Sequence, residues 1–244
     1  MWFCGKSDVG KVRQLNEDFY MFDAPHLAIV ADGMGGHAAG EIASQMATRS
    51  VTTFLKEHDT IDEEVLRLSI VKANDVVYHA SEANSDYSGM GTTMIICYEK
   101  NDIIHWAHVG DSRFYLYRDG KLHQITQDHS FVGELERSGQ ITKEEAETHP
   151  KRNLLMRAIG ADSEIEVDTG SLPLLADDII LLCSDGLTNM VSESDICALL
   201  ETHREELESL PAQLIDRANE NGGNDNITVL LGKKENDIKI HKYE

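Results

Sequence analysis

The feature that most constrains this chain is a short apolar run that stops at an aspartate and a cluster of glycines. Residues 27–31 are Leu-Ala-Ile-Val-Ala, and Asp32 and Gly33 follow at once. An apolar run of this length that ends in turn chemistry predicts a buried β-strand. Beyond the glycines, apolar residues recur at helical spacing from Ile42 to Phe54 and predict an amphipathic helix. Asp32 is therefore expected at the tip of a strand, beside the start of a helix.

Three interpretations of this turn are open from its own residues. The spacing of Gly33, Gly35 and Ala38 matches the loose dinucleotide fingerprint, in which backbone amides at a helix start hold a pyrophosphate. A carboxylate at Asp32 would repel a phosphate unless a divalent cation lay between the two. The same carboxylate, together with the Gly33 carbonyl, would suit Mg²⁺ or Mn²⁺. The third interpretation is an ordinary tight turn, and other acidic strand ends are needed to decide.

Length and charge narrow the class of protein. The 244 residues contain no Pro- or Ser-rich linker, so we expect one large domain with a well-buried core. The 22 Lys and Arg against 43 Asp and Glu give a formal net charge of −21, which disfavours nucleic acid and anionic membranes as partners. The start of the chain lacks a signal-peptide core, and the apolar runs are too short to cross a bilayer. We therefore expect a soluble, cytoplasmic protein.

Strand-like and helical segments follow one another in blocks. Two strand-like segments and the run at 27–31 are followed by two long amphipathic helices, and a polar helical insertion spans 126–160. The strands expected after the helices are residues 94–98, 103–109, 113–117, 165–171, 179–183 and 227–231. The links between the first three of these are so short that the strands must be antiparallel. An antiparallel α+β arrangement with helices over the sheet faces follows, in one sheet or two.

Three further aspartates stand where a predicted strand meets a turn: Asp111, Asp185 and Asp225. Each by itself is typical of a turn, because Asp hydrogen-bonds to nearby backbone there. Together with Asp32, on separate strands of a strongly acidic chain, these carboxylates would repel one another unless cations neutralised them. The pattern therefore favours a polynuclear Mg²⁺ or Mn²⁺ site.

These aspartates belong to a series of short motifs. In order, the motifs are Ser7-Asp8-Val9-Gly10 with Arg13 and Asn16-Glu17-Asp18, Ala31-Asp32-Gly33-Met34-Gly35-Gly36-His37 with Gly40-Glu41, Met90-Gly91-Thr92-Thr93, His108-Val109-Gly110-Asp111-Ser112-Arg113, Asp128-His129-Ser130, Ser184-Asp185-Gly186-Leu187 and Asn224-Asp225-Asn226-Ile227-Thr228. With this series the chain resembles the metal-dependent Ser/Thr protein phosphatases of type 2C, in their bacterial form, over essentially its full length.

The resemblance implies a fold and an activity. The fold would be an α+β, four-layer α-β-β-α sandwich, with two stacked antiparallel sheets flanked by helices and a metal cluster at one edge. Residues 1–234 would form a single phosphatase catalytic domain with a helical flap insertion at about 129–157, and 235–244 would be a charged tail. The protein would be a monomer that hydrolyses phosphoserine and phosphothreonine in proteins and opposes a bacterial Ser/Thr kinase.

The resemblance also implies a role for each matching residue. Asp32 would bridge two tightly bound Mn²⁺ or Mg²⁺ ions, the Gly33 carbonyl and Asp225 would complete one of them, and Asp185 would bind the same pair. Asp111 would hold a third, weaker metal together with Asp185. Glu17 and Asp18 would contact metal-bound waters, and Arg13 would bind the phosphate. Asn189 departs from the aspartate that some members of the family carry, which puts a water-mediated carboxylate there in doubt.

The implied chemistry suits these residue types. Two divalent cations would depress the pKa of a water between them and place it in line with phosphorus, so that no protein nucleophile is required. The planar guanidinium of Arg13 can bind two phosphate oxygens and offset their charge. The leaving oxygen needs a proton, and His37, beside the metal turn, is the candidate donor. A metal-bound water is an equally physical donor, and His37 as a capping or packing residue is the structural alternative.

Other classes of protein fit less well. A cysteine-dependent phosphatase needs an arginine six residues after its thiolate, and the positions six beyond the cysteines hold Gly10, Ile103, Asn189 and His203. A nucleotide-binding oxidoreductase needs an acid about twenty residues after the glycines, where residues 50–53 have none. A catalytically silent relative would have no need to retain Arg13 and the aspartates together. The sequence leaves open whether Cys183, just before Asp185, makes the enzyme redox-sensitive.

Overall fold

A computed structural model of the chain describes residues 1–36 and 39–234, the side chain of Glu147 apart. The described strands are β1 (Trp2–Asp8), β2 (Asp18–Asp23), β3 (Leu27–Met34), β4 (Gly91–Thr92), β5 (Met94–Lys100), β6 (Ile103–Val109), β7 (Arg113–Arg118), β8 (Lys121–Gln124), β9 (Asp168–Pro173), β10 (Ile179–Cys183) and β11 (Ile227–Lys233). The described α-helices are α1 (Ala39–Lys56), α2 (Glu63–Ala83), α3 (Phe131–Arg137), α4 (Lys143–Thr148), α5 (Asp185–Thr188), α6 (Glu193–Thr202) and α7 (Leu210–Glu220).

The strands form two sheets, each antiparallel throughout. The first sheet has the order β1-β11-β10-β7-β8. The second has the order β2-β3-β5-β6-β9, and β4 pairs with the end of β3. The short links after β5 and β7 make antiparallel hairpins, as the sequence predicts. The link after β6 instead carries the chain from the second sheet to the first, so the antiparallel pairing expected between segments 103–109 and 113–117 is wrong.

The sheets stack face to face, with helices on both outer sides. Side chains of both sheets, among them Phe3, Val30 and Leu182, form a core between the sheets. Ile29 of β3 packs instead in a second core with α1 and α2, while α6 and α7 cover the first sheet over a third core. Because successive side chains of a strand point to opposite faces, a strand segment covered on both faces is apolar throughout, as residues 27–31 of β3 are. The predicted four-layer α-β-β-α sandwich is confirmed.

The insertion between β8 and β9 contains α3 and α4. Its two ends lie together, since Met156 N donates to His129 O and Phe131 N donates to Leu154 O, each at 2.8 Å. The helical character of this segment is as predicted, whereas the boundaries of the flap and of the 1–234 domain stay predictions. The predicted strand at 165–171 is displaced, because the ladder with β6 pairs Asp168–Pro173 instead.

Candidate active site

Five aspartates of the predicted motifs lie at one edge of the sandwich. Asp18 begins β2, and its Cα partner on β3 is Asp32. Asp111 follows β6, Asp185 follows β10 and Asp225 precedes β11. Because neighbouring strands run in opposite directions, the ends of β3, β6 and β10 lie at the same edge as the starts of β2 and β11. Antiparallel pairing within each sheet and the stacking of the two sheets thus bring together residues that are more than 200 positions apart.

The Asp32 turn is held by two threonines. Thr93 N donates to Asp32 O at 2.8 Å, and Asp32 N donates to the Thr93 hydroxyl at 3.0 Å. The Thr92 hydroxyl also donates to Asp32 O, at 2.9 Å. Thr93 Oγ1 lies 2.7 Å from Ser112 Oγ, next to Asp111. These buried hydroxyls fix the Asp32 and Asp111 turns relative to each other, which explains the motif at 90–93.

Asp18 is held by hydroxyls of the other sheet. Its Oδ2 accepts hydrogen bonds from Ser184 Oγ and Thr228 Oγ1, each at 2.7 Å. Because Thr228 gives its only hydroxyl proton to Asp18, Ser7 must donate to Thr228 across their 2.8 Å contact. Asp18 Oδ1 is buried and has no hydrogen-bond partner in the part of the chain that the structure describes. One carboxylate oxygen is thus anchored between the sheets, and the other is left for a ligand.

Burial, together with mutual repulsion among these aspartates, raises the pKa of several carboxyls. Burial, and then the charge of Asp18 and of the other aspartates, holds the pKa of Asp32 well above its ordinary value. Burial and the charges of Asp225 and Asp18 raise the pKa of Asp185 to about 7. Burial and the charge of Asp185 also raise the pKa of Asp111 well above its ordinary value. The charged forms therefore call for a cation among them.

Gly33 has no room for a side chain. A Cβ atom at this position would lie 2.1 Å from Gly40 O and 2.5 Å from Glu17 O. The Gly33 amide donates to Glu17 O at 3.1 Å, and Gly40 N donates to Glu17 Oε1 at 3.2 Å. The start of α1 is thus packed directly on the turn, with the carboxylate of Glu17 at the helix N-terminus. Burial raises the pKa of Glu17, which places a further acidic group beside the aspartates.

Arg13 reaches the same edge from the loop between β1 and β2. Its Nη2 donates to Asp225 Oδ2 at 2.8 Å, while half of its side chain stays exposed. The hydrogen bond that Arg13 donates to Asp225 raises the pKa of Arg13, so the guanidinium is charged at any working pH. A fixed positive charge therefore stands at the solvent side of the aspartates.

Asn226 clamps the loop that carries Arg13, residues 9–17, which we term the Arg13 loop. Its Nδ2 donates to Val9 O at 3.0 Å and to Leu15 O at 2.9 Å, and its Oδ1 accepts from Glu17 N at 2.8 Å. Asn226 is 5% exposed. One buried amide therefore holds both ends of the Arg13 loop, immediately beside Asp225.

Histidine 129 ties the base of the flap to the Asp111 turn. Gly110 N donates to His129 Nδ1 at 3.1 Å, and His129 N donates to Gly110 O at 2.8 Å. His129 Nε2 lies 3.2 Å from Asp168 Oδ2, and Arg157 Nη1 lies 3.1 Å from Asp168 Oδ1. Burial lowers the pKa of His129, although Asp168 opposes this. His129 and Arg157, at the two ends of the flap, therefore both contact Asp168 of β9. His129 is also hydrogen-bonded to Gly110, the residue that precedes Asp111.

A cleft of about 460 Å³ opens between the flap and the aspartates, and Asp111 and Asp185 lie in its wall. Much of its exposed lining is polar, with Arg113 bound to both carboxylate oxygens of Asp128 and with Lys143 of α4 on the flap side. The lining also contains the apolar residues Val132, Ala146 and Val191, which are each at most 9% exposed. A largely polar cleft beside the carboxylates can admit a polar, extended substrate.

The donor set fits hard divalent cations. Carboxylate oxygens and a backbone carbonyl are the ligands such ions take, and the unpartnered Asp18 Oδ1 and the repelling aspartates both lack a counter-charge. Within residues 1–36 and 39–234, no three His, Cys, Asp or Glu side chains already form a ligand cage. Carboxylates that repel one another do not approach closely unless a cation lies between them. The ligand set implied by the sequence also includes the backbone carbonyl of Gly33.

The predicted residues are thus largely brought together. Seven of them lie at this edge or in the loops beside it, namely Arg13, Glu17, Asp18, Asp32, Gly33, Asp185 and Asp225, and Asp111 lies next to them. His37 lies outside the described residues, so its role stays a prediction. Asn189, where the family pattern carries an acid in some members, donates from Nδ2 to Asp185 Oδ2 at 3.0 Å. The asparagine therefore supports Asp185 directly.

Three positioning side chains escaped the sequence prediction: Asn226, Ser184 and Thr228. Each of them stands within a motif that contains a predicted aspartate, and that adjacency was the available signal. None carries a charge, and their partners lie on other strands. Their contribution therefore shows only once the strands are paired.

Comparison with known proteins agrees with this geometry. The family model of protein phosphatase 2C matches residues 10–231. The serine/threonine phosphatase stp of Listeria monocytogenes is 43% identical over 239 residues, which cover 94% of each protein. The structure of the Mycobacterium tuberculosis serine/threonine phosphatase PstP/Ppp is 38% identical, with a TM-score of 0.89 over 96% of this chain and 99% of its own. The PstP catalytic domain in complex with two manganese ions is 38% identical, with a TM-score of 0.86 over 94% and 96%.

The chain therefore belongs to the protein phosphatase 2C family. It is an enzyme, a metal-dependent serine/threonine protein phosphatase, as its motifs predict. No helix among the described residues combines the length and the apolar character that crossing a membrane requires.

Proposed function

We propose that the aspartate edge holds two Mn²⁺ or Mg²⁺ ions and hydrolyses phosphoserine and phosphothreonine in proteins. Asp32 is assigned to both ions, the Gly33 carbonyl and Asp225 to one, and Asp185 to the pair. The convergence of mutually repelling carboxylates around the Gly33 turn supports this assignment. So does the relative that was solved with two manganese ions. When bound, such ions lower the pKa of water and draw charge from the phosphoryl oxygens.

The finer ligand assignments are also proposals. Asp111 and Asp185 are assigned to a third, weaker cation, supported by the burial of Asp111 and its repulsion by Asp185, which together raise the pKa of Asp111. Glu17 and Asp18 are assigned to waters around the ions, because Asp18 leaves Oδ1 without a partner while Oδ2 is anchored.

Arg13 is assigned to the phosphate. Its planar guanidinium can bind two phosphate oxygens, and its hydrogen bond with Asp225 sets the direction from which it does so. A positive charge fixed in this place stabilises the extra negative charge that develops on the phosphoryl oxygens during transfer. Arg13 thus serves both to bind the substrate and to stabilise the transition state.

The reaction needs a nucleophile and a proton donor. A bond forms between the oxygen of water and phosphorus, the bond from phosphorus to the Ser or Thr oxygen breaks, and that oxygen takes a proton. Burial raises the pKa of Cys183 to about 12, which supports water rather than this thiol as the nucleophile and argues against a redox-sensitive Cys183. His37 and a water remain the candidate proton donors.

The biological setting is inferred from the reaction class. A protein that removes phosphate from Ser and Thr needs a Ser/Thr kinase to supply its substrate, and we assign that role to a cognate bacterial kinase. A formal net charge of −21 disfavours nucleic acid and anionic membranes as partners. The assignment of phosphoproteins in the cytoplasm as partners rests on the reaction class. We assign the active species as a monomer.

Metal removal tests the proposal. Treatment with EDTA is expected to abolish hydrolysis of p-nitrophenyl phosphate and of a phosphothreonine peptide, and Mn²⁺ is expected to restore both. Asp32→Asn should remain inactive with excess Mn²⁺, while Asp119→Asn should behave as the wild type. Asp119 is the matched control, because it lies in the β7–β8 turn at φ 51°, a conformation that Asn tolerates. Activity that persists after chelation would refute the assignment.

A further inference from the structure

Two exposed apolar side chains flank Arg13. The side chain of Val12 is 63% exposed and that of Leu15 is 48% exposed. Single exposed apolar residues are ordinary on protein surfaces and need no explanation. The position of these two is different, because both stand on the Arg13 loop within two residues of the group assigned to the phosphate.

Their exposure is built into the fold. The Arg13 loop is clamped at Val9 and Leu15 by the Asn226 amide, and Lys11 N donates to Gly223 O at 2.8 Å. Gly10 adopts φ +78°, and a Cβ there would lie 2.2 Å from Asp225 O. The loop is therefore held against the start of β11, and it presents Val12 and Leu15 to solvent from a fixed backbone.

We propose that Val12 and Leu15 form a docking surface for the polypeptide of the phosphoprotein substrate. The surface would bind apolar side chains next to the phosphorylated residue. Adjacent Cα atoms are about 3.8 Å apart, in the loop and in a substrate alike. A phosphoresidue bound at Arg13 therefore carries its neighbours past side chains one and two positions from Arg13. This inference rests on the proposed function of Arg13.

The exposed lining of the cleft favours the same assignment. On the flap side, Arg113 and Lys143 offer polar contacts to a substrate, and the apolar lining residues Val132, Ala146 and Val191 are each at most 9% exposed. Apolar side chains that flank a phosphoresidue would find little apolar surface on these residues, whereas contact with Val12 and Leu15 removes apolar surface from water on both partners. The Arg13 loop thus supplies the apolar part of substrate recognition at the catalytic edge.

Two phosphopeptides and a small substrate test the proposal. The peptides have the same length and charge and carry phosphothreonine between leucines or between serines. For the wild type, the KM of the leucine peptide should be about tenfold lower than that of the serine peptide, with each of the two residues contributing a factor of about three. The double variant Val12→Ser, Leu15→Ser should have the same KM for both peptides. kcat should stay within twofold. The KM for p-nitrophenyl phosphate, which has no polypeptide, should also stay within twofold.

Leu175→Ser is the matched control. Leu175 is 50% exposed and follows β9, whose Pro173 pairs with Ile103, at the end of the sheet away from Asp168 and the site. This variant should keep the preference for the leucine peptide.

The outcomes separate the docking surface from the catalytic proposal. Equal KM values for the two peptides with the wild type would overturn the docking surface and leave the phosphatase intact. A preference that survives in the double variant would overturn it as well. If the double variant also raised the KM for p-nitrophenyl phosphate, Val12 and Leu15 would be needed for the conformation of the Arg13 loop, and the docking surface would be overturned. An Mn²⁺-loaded wild type that hydrolyses none of the three substrates would refute the proposed function itself.

Discussion

Neutralising Asp18 should stabilise the enzyme once its metal has been removed. Burial raises the pKa of Asp18 from 3.8 to about 6, although Thr228 and Ser184 both donate hydrogen bonds to it. Asp18→Asn keeps an oxygen that can accept from both hydroxyls. Its amide then replaces the second oxygen, which lies beside Asp32. The substitution thus removes a buried negative charge and keeps the anchoring contacts.

The magnitude follows from linkage. A carboxyl with a higher pKa in the folded state binds more protons there, so its contribution to stability is full below pH 4 and is lost as pH rises through about 6. For Asp18 the loss amounts to about 3 kcal/mol at pH 8 and about half of that at pH 5. Asp18→Asn escapes this loss, and in a domain of this size its Tm at pH 8 should rise by about 6–12 °C.

Thermal unfolding in EDTA, at pH 5 and at pH 8, measures the effect. The difference between Asp18→Asn and the wild type is the informative quantity, because His108 and His129, whose pKa values burial lowers, titrate equally in both proteins and cancel. Asp119→Asn, in an exposed turn, should change the unfolding free energy by less than about 0.5 kcal/mol.

Excess Mn²⁺ should reverse the order of the two proteins. Binding to the folded state alone raises stability in proportion to the logarithm of metal concentration over Kd, and the variant has lost a charge that favours the cation. The wild type should therefore gain more Tm from Mn²⁺ than Asp18→Asn does. A variant that unfolds below the wild type in EDTA at pH 8 would refute the claim that Asp18 carries an uncompensated charge.

Two further predictions concern the phosphate side of the site. Arg13→Ala should raise KM for p-nitrophenyl phosphate more than Asp32→Ala does, while Asp32→Ala should chiefly remove kcat, and steady-state kinetics showing the reverse would exchange the two roles. Asn226→Ala removes three hydrogen bonds from the Arg13 loop and should lower the unfolding free energy by about 2–4 kcal/mol. It should also raise the KM for p-nitrophenyl phosphate, because the loop no longer holds Arg13 in place. Unchanged unfolding in urea together with unchanged KM would show that Asn226 does not hold the loop.

The periodicity of the sequence predicts strands and covering helices but leaves the number of sheets open, and only the family resemblance predicts two. The short link after β5 fixes the antiparallel pairing of β5 with β6, since only a hairpin can make such a connection. The similarly short link after β6 instead carries the chain into the other sheet, which its length does not reveal. The apolar run in β3 shows no alternation of apolar and polar residues, because both faces of the strand are covered. Such a run fits a single sheet covered by helices on both faces as well as it fits two stacked sheets. Which face meets a helix and which meets a second sheet depends on contacts far apart in the chain.

Short elements and register lie beyond the reach of periodicity. The helix α5, at Asp185–Thr188, has four residues, which is barely one helical turn and leaves no pattern to detect. The strand expected at 165–171 occurs at Asp168–Pro173, because β6 sets its register through the pair His108 and Asp168. Ile165 and Val167 pack against the helix-side core without joining the ladder, so their apolar character misplaces the strand.

Charged site residues are predictable from sequence in a way that their supports are not. Asp32, Asp185 and Asp225 stand out because several acids in turns of one acidic chain need an explanation. Ser184 and Thr228 look like ordinary turn and strand residues, and only the pairing of β10 with β11 places both hydroxyls on Asp18. The role of a neutral donor depends on its partner, and here the partner lies 166 or 210 positions away.

The start of β11 joins the two halves of the site. Asp225 pairs with Arg13, Asn226 clamps the Arg13 loop, and Thr228 donates to Asp18. One short segment thus contacts both the arginine assigned to the phosphate and the carboxylates. A change in the backbone at this segment must move the guanidinium and the aspartates together. Residues that share partners in this way do not contribute additively. The close spacing of these residues in the chain therefore reflects a mechanical requirement, which is that phosphate and cations must be held at a fixed distance.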